Sequence, residues 1–359
     1  MLTSLVGSEM CIRDSTMRTV FLLLMMFILS SCESSQPIQD EQKRLIDQEI
    51  TASNTFKIVK KGEVIYEHTQ NSGKLGDKDI TTETIFPIWS MSKPITTVAM
   101  MILYDQKGFE LSDNVSKYLP EFENMMCKKD SVIQPCKNQI KIIDLLTHRS
   151  GFGYYSDVYG ENKFIGKPSP LYKYTNTYSY DDLNEFSLAV SKQPLEFEPG
   201  QHYFYGLNQD ILGRVIEVIT GKSFYEYLKD NLLEPLEMRD TKFHLTLEER
   251  ERFQPLFINK IPNTPMNPST NSLKGFTNEM DQLSYLETNK AYMGSGGMVS
   301  TMSDYSNFCQ MLVDEGVFKG KKILSKESFN LMLEKHTEPF PNENLSLIHI
   351  SEPTRLVSI

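Results

Sequence analysis

No run of lysines and arginines is long enough to grip a phosphate backbone: 37 basic residues face 47 acidic ones, and the formal net charge is −10. Nucleic-acid binding draws on clustered positive charge, so this balance argues against a nucleic-acid partner, and the acidic excess reads as a solubilising surface. The five cysteines, Cys11, Cys32, Cys127, Cys136 and Cys309, contain no C-x-x-C pair. The six histidines include no H-E-x-x-H, and no Cys/His cluster has zinc spacing. No metal or other cofactor is therefore expected. A G-x-S-x-G elbow is also missing, which removes the strand–turn–helix nucleophile of the α/β-hydrolases. There is no internal repeat. The chain has 359 residues, 40% hydrophobic and 23% charged, which fits one large globular domain or two ordinary ones with a sizeable core.

The two ends are related to each other. Residues 5–15 read LVGSEMCIRDS and residues 345–355 read LSLIHISEPTR. One choice of codons for the first segment has, as its reverse complement read in frame, codons for the second, given one further base for the final arginine. One DNA segment read on opposite strands thus encodes both ends. The pattern resembles a sequencing-library adapter left at each end of an assembled fragment; a natural inverted repeat is the alternative. Residues 1–16 and 345–359 are accordingly set apart from the folded protein, and Cys11 with them. Met17 then becomes the natural start, and residues 17–32 read as a signal peptide. Arg18 supplies the basic end, and Val20 to Leu29 form an apolar stretch too short to span a bilayer comfortably. Leu29-Ser30-Ser31-Cys32 resembles a bacterial lipobox. That resemblance implies a lipid on Cys32 and a lipoprotein of the bacterial cell envelope that faces the periplasm; an ordinary secretory signal or a membrane anchor is the alternative. Residues 33–50 are polar, lack a strong apolar pattern and read as a tether to a folded domain over 51–344. Export makes disulfides permissible. Cys127 and Cys136 flank the polar stretch KKDSVIQP and either close it or remain free, and Cys309 is expected as an unpaired buried thiol on a helix.

Along the folded part, Phe56–Val59 and Val64–Tyr66 are strand-like runs around the turn Lys60-Lys61-Gly62-Glu63, which predicts a hairpin. A long helix is expected from about Ser90 to Lys107, closed by Gly108. A short amphipathic helix is expected over 140–148 and a tyrosine-rich loop over 154–180, whose tyrosines either line a substrate pocket or pack the loop. Helical spacing of Ile211, Leu212, Val215, Ile216 and Ile219 predicts a helix over 207–220 that Gly221 ends, followed by a second over 224–233. Residues 254–278 read as a Pro/Asn-rich loop, Gly294–Gly297 as a tight turn, and Thr301 to Asp304 as a capping box opening a helix to about Glu315. Strands at the front and a long helical middle argue for an α+β chain.

The chemistry concentrates at Ser90-Met91-Ser92-Lys93, an S-x-x-K motif. Residues three apart share a helix face, so Ser90 and Lys93 lie about one turn apart. Pro94 is tolerated only in a first turn, which puts the helix start near Ser90. A serine there sits in the positive field of the helix N-terminus, near free N–H groups that can stabilise an alkoxide or oxyanion. Lys93 can accept the Ser90 proton if its surroundings favour the neutral amine. His148 and His202 invite a Ser–His reading, but His148 ends a helix and reads as structural.

S-x-x-K alone recurs by chance, but ordered blocks surround it. Phe86 to Pro94 is similar to the nucleophile segment of the serine β-lactamase and penicillin-binding-protein-like hydrolases. Leu111-Ser112-Asp113-Asn114-Val115 with Tyr118-Leu119-Pro120, and then Asp144 to Gly151, match that family's next segments. Pro199-Gly200, Tyr205, Leu212-Gly213, Glu217, Glu234-Pro235-Leu236 and Gly296-Gly297 continue in order. The chain resembles most the family VIII carboxylesterase branch, similar in fold to class C β-lactamases. The resemblance implies an α+β fold with an antiparallel sheet flanked by helices and a mainly helical subdomain. It implies an acyl-enzyme on Ser90 with Lys93 and Tyr205 as bases, Tyr205 being the tyrosine of the family's Y-x-N element. Here that element reads Tyr205-Gly206-Leu207, with Asn208 one place late. The esterase branch often lacks the asparagine, so a carboxylesterase acting on small esters is expected. A β-lactamase or D-alanyl-D-alanine carboxypeptidase acting on lactams or amides is the alternative. A non-catalytic binding lipoprotein of the same fold is a further one, against which Ser90, Lys93 and Tyr205 all stand. The family's Lys/His/Trp-x-Gly element lies on a strand well after the helix that corresponds to 301–315, and none occurs between that helix and residue 345. The resemblance therefore implies that C-terminal strands are missing and that the chain as written is inactive.

Overall fold

The computed structural model describes residues 36–74, 77–130, 132–153, 161–162, 167–168, 180–254, 285, 287–288 and 290–336. The ends at 1–16 and 345–359, the signal segment with Cys32, nearly all of the tyrosine-rich stretch and the loop beyond Gln254 lie outside the described residues. The described residues fall into two compact units, 36–79 and 80–336.

In the first unit, helix α1 (Gln36–Asp47) precedes strands β1 (Asn54–Lys60) and β2 (Glu63–Gln70), which pair antiparallel as expected, with a bulge between Ile58 and Val59. The expected tether is thus helical over most of its length. Ile38, Gln42, Leu45 and Ile46 recur at helical spacing and face inward. Gln42, the polar member of that stripe, bonds Asn54 Oδ1 (2.8 Å), the His68 carbonyl (3.3 Å) and His68 Nδ1 (2.9 Å). The stripe holds only three apolar residues in an otherwise polar helix, which hides it within a segment that reads as polar.

The second unit is mainly helical. Strand β3 (Ile85–Pro87) leads into helix α2 (Ser92–Asp105), whose buried residues include Ile95, Val98, Ala99, Met100, Ile102 and Leu103. Strands β4 (Met126–Lys129) and β5 (Val132–Pro135) make a hairpin of the stretch expected to be a loop, and a Cys127–Cys136 disulfide closes it. Helix α3 (Ile142–Leu146) and helix α4 (Leu183–Val190) pack on α5 (Asn208–Thr220), the central helix with α2. Gly221 ends α5 in the left-handed conformation (φ 69°), where a Cβ would be strained. Helix α6 (Phe224–Leu228) opens with a Ser223–Glu226 capping box and runs into a π-type turn over Lys229–Leu233, so the second expected helix loosens midway. Strand β6 (Val299–Thr301) pairs antiparallel with β3. Single bridges extend that pair on both sides, Ile85 to Phe253 and Val299 to Lys242. Among the described residues the strands form two-stranded antiparallel pairs rather than one continuous sheet.

Helix α7 (Met302–Val313) follows β6, and Thr301 accepts from the Asp304 N–H as a cap should. The reciprocal half of the expected capping box is absent, because the Asp304 carboxylate instead accepts from the Asp240 N–H (2.7 Å) and Thr241 Oγ1 (2.9 Å). Cys309 is a free thiol on this helix, partly buried, and burial pushes it up to about 11. The main core cluster of the unit joins α2, α5 and α7 through Met100, Leu212 and Phe308, and a smaller one gathers Ile85, Leu245, Phe253, Tyr285 and Val299 around the β3–β6 pair. Phe122 and Phe152 meet edge to face within the main cluster at 5.6 Å.

Candidate active site

Ser90 stands where β3 gives way to α2. The Ile88 N–H donates to the Met298 carbonyl (3.1 Å), which anchors the strand end to the residue before β6. Trp89 then takes a left-handed conformation (φ 43°), uncommon for a bulky side chain, and a single 3₁₀ turn over Trp89–Met91 runs into α2. Ser92 Oγ accepts from the Met298 N–H (3.3 Å), and Tyr305 Oη donates to the Met91 carbonyl (3.1 Å), so both flanks of Ser90 are tied to the β6–α7 segment. Pro94 occupies the third position of α2, where its missing N–H costs nothing. Ser90 is exposed, whereas Lys93, one turn on, is buried.

Lys93 reaches back to Ser90, its Nζ lying 3.2 Å from Ser90 Oγ and 2.8 Å from the Ser295 carbonyl. The expected turn at Gly294–Gly297 supplies that carbonyl. Its position is set by Thr96 Oγ1, which donates to the Gly294 carbonyl (2.8 Å), and by the Ser295 N–H, which donates to Asp210 Oδ1 (2.7 Å). Ser295 therefore links, through its N–H and its carbonyl, a buried carboxylate on α5 to the Lys93 side chain on α2. The Lys93 ammonium also lies 4.7 Å from the centroid of the Tyr205 ring, a cation–π contact.

Tyr205 arrives from the loop before α5, with its Oη 2.9 Å from Ser90 Oγ. The structure thus brings the three expected residues together: one hydroxyl, exposed, contacted by an amine and a phenol. A base within 2.6–3.2 Å of a nucleophile is the geometry proton abstraction requires. Gly206 permits this approach. A Cβ there would meet the Phe152 carbonyl oxygen at 2.1 Å, which only glycine avoids.

Asn208 does not stand in for the missing asparagine of the Y-x-N element. It is fully buried; its side-chain nitrogen lies 2.8 Å from His148 Nδ1, and Ser150 Oγ donates to its oxygen. Leu207, at the place the asparagine would take, is buried as well. His148, read from sequence as structural, lies in the core beside the site with its ring stacked on Tyr205 (5.0 Å between centroids, 26° between planes). Burial, with the Lys93 charge in addition, pushes it down to about 3. Both ring nitrogens contact α5 side chains, so no Ser–His pair forms. His202 is exposed and meets Phe197 edge-on. Asp210, Ser295 and Thr96 escaped sequence reasoning. The available signal was Asn208-Gln209-Asp210, three polar residues at the head of a helix whose other inward positions are apolar. The one described cluster able to offer metal ligands, Cys127, Cys136 and Glu198, has both sulfurs joined in the disulfide.

Comparison with known proteins bears on the family and the fold. The family model for beta-lactamase matches residues 43–347. Protein Rv1367c of Mycobacterium tuberculosis is 27% identical over 260 residues, covering 70% of this chain and 59% of that protein. Esterase EstB of Burkholderia gladioli is 28% identical over 202 residues, covering 55% of this chain and 47% of EstB. The chain thus matches only about half of the length of these relatives. Among solved structures, EstCE1, a hydrolase with promiscuous acyltransferase activity, is similar in fold, with a TM-score of 0.65 and 24% identity over 86% of this chain and 78% of its own. With an α+β fold of this kind and a family match across most of its length, the chain belongs to the beta-lactamase family of serine hydrolases.

Proposed function

We propose that this serine hydrolase is a carboxylesterase that forms an acyl-enzyme on Ser90. The observation that carries the reading is the position of Ser90 Oγ, 3.2 Å from Lys93 Nζ and 2.9 Å from Tyr205 Oη. In acylation, which requires Lys93 as the neutral amine, Ser90 Oγ bonds to the ester carbonyl carbon and gives its proton to this amine–phenol pair. The pair passes a proton to the departing alcohol as the C–O bond breaks. Water then attacks the acyl-enzyme, the acid leaves, and the proton returns to Ser90. The similarity to an enzyme named an esterase supports the ester preference. So does the withdrawal of Asn208 into the core, which leaves the position that β-lactamases and peptidases usually fill with asparagine to Leu207. Protein made from the intact gene should react with a fluorophosphonate at Ser90, with labelling lost in Ser90→Ala and kept in Ser92→Ala. Short p-nitrophenyl esters should turn over and benzylpenicillin hardly at all. Labelling that survives Ser90→Ala would refute the assignment, and equal ester and lactam rates would favour the β-lactamase reading.

The same proposal extends to location. With Met17 as start, Cys32 carries lipid and residues 51–344 act at the periplasmic face of a membrane. Mass spectrometry of the mature protein should find a modified Cys32, and Cys32→Ser should release a soluble or unprocessed form. An unmodified Cys32 in mature protein rules this out.

A further inference from the structure

His148 is buried, lies just beyond the end of α3 in a left-handed conformation (φ 55°) and accepts from the Phe204 N–H at its carbonyl (2.8 Å). Its ring contacts define its protonation. Ser150 Oγ donates its one proton to Asn208 Oδ1, which leaves the Asn208 amide nitrogen facing His148 Nδ1 at 2.8 Å as a donor. The Gly206 N–H, which cannot accept, points at the same nitrogen from 3.4 Å. Nδ1 therefore carries no proton, and in a neutral imidazole Nε2 must then be the N–H. The side chain opposite Nε2 is Gln209, with its amide nitrogen placed 3.2 Å away, while its oxygen is buried without a partner. Turning that amide over presents the oxygen to Nε2–H and removes the donor–donor conflict. A second proton on the ring would face two donors at Nδ1, so this network admits only the neutral form.

The groups around the ring give it a task. Tyr205 stacks on it, Tyr203 meets it edge-on at 6.0 Å, and the Lys93 ammonium lies against the Tyr205 ring. Asn208 and Gln209 hold it from α5, and the Gly206 N–H beside Tyr205 is fastened to it. We propose that His148 is a positioning residue for the Ser90–Lys93–Tyr205 centre: a neutral Nε2–H imidazole that fixes the Tyr205 backbone through Gly206 and the Tyr205 ring by stacking. The proposal rests on the reading of Ser90 as nucleophile. It assigns His148 no proton transfer, since neither ring nitrogen faces Ser90.

The test has two arms. In full-length protein with ¹⁵N-labelled histidine, the signals lost in His148→Phe should show an unprotonated Nδ1 and a protonated Nε2, unchanged from pH 5 to 8. A His148 that titrates in that range, or that carries its proton on Nδ1, overturns the proposal. His148→Phe keeps a stacking ring and removes the Nδ1 acceptor. A displaced Tyr205 should lower kcat and the fluorophosphonate labelling rate about a hundredfold with KM little changed. His148→Asn, whose oxygen can take the place of Nδ1, should recover part of that loss. A folded His148→Phe with wild-type kcat and labelling rate defeats the inference alone, whereas a wild type that never labels at Ser90 defeats the reading of the centre beneath it.

Discussion

Tyr205 is the residue on which the proposed mechanism can be tested with least disturbance. Its ring lies between structural duties, the stack on His148 and the cation–π contact with Lys93, and a chemical one, the hydroxyl 2.9 Å from Ser90 Oγ. Tyr205→Phe keeps the first two and deletes the third. The thermal midpoint should stay close to wild type while kcat on a p-nitrophenyl ester falls by about 10²–10⁴, the usual worth of a general base. A variant with unchanged kcat would reduce Tyr205 to packing. Sequence spacing alone could not have separated these duties, because a tyrosine before a helix is more often core than catalytic.

Among the elements, the loop into α5 and the β4–β5 hairpin make opposite demands. The loop is so close to the Gly151–Gly153 segment that a methyl group at Gly206 would strike the Phe152 carbonyl. Gly206→Ala must push the backbone apart, at about 1–3 kcal/mol by analogy with overpacked cores, and Tyr205 moves with it. Denaturant melts should show that loss together with a fall in activity larger than the loss of folded protein explains. The hairpin instead depends on a cross-link. Cys127 and Cys136 are nine residues apart in sequence, and closing a loop of that length in the unfolded chain corresponds to about 2.6 kcal/mol on the chain-entropy model. Reduction, or the Cys127→Ser/Cys136→Ser pair, should lower the unfolding free energy by about that amount. An unchanged denaturation midpoint would show that the hairpin holds without it.

For the molecule as a whole, the buried imidazole makes stability depend on pH. His148 is held down to about 3 in the folded state against an ordinary value of 6.5. Between those values the unfolded chain binds a proton that the folded one refuses. Stability from this group is therefore complete above about pH 6.5 and falls as pH drops toward 3, at up to about 1.4 kcal/mol per pH unit. Denaturation midpoints measured from pH 8 to 4 should decline below 6.5, and His148→Phe should flatten that part of the curve. A wild-type decline that persists unchanged in His148→Phe assigns the dependence to other groups.

The hairpin at Asn54–Gln70, the stop of α5 at Gly221 and the placing of Ser90 and Lys93 on one turn were legible from residue order alone, because each depends on neighbours within a few positions. The family pattern added Tyr205. The helix at Gln36–Asp47 was hidden because its inward stripe pairs few apolar residues with a glutamine whose partners lie on the hairpin. Only tertiary structure could bring Tyr205 to Ser90 across 115 residues, or the Ser295 carbonyl to Lys93 across 202. It also decided that Cys127 and Cys136 bond to each other and that Asn208 turns inward to His148. The physical reason is the same in each case. Periodicity and turn chemistry are local, whereas the partner of a buried polar group is set by which distant segment the apolar core draws against it.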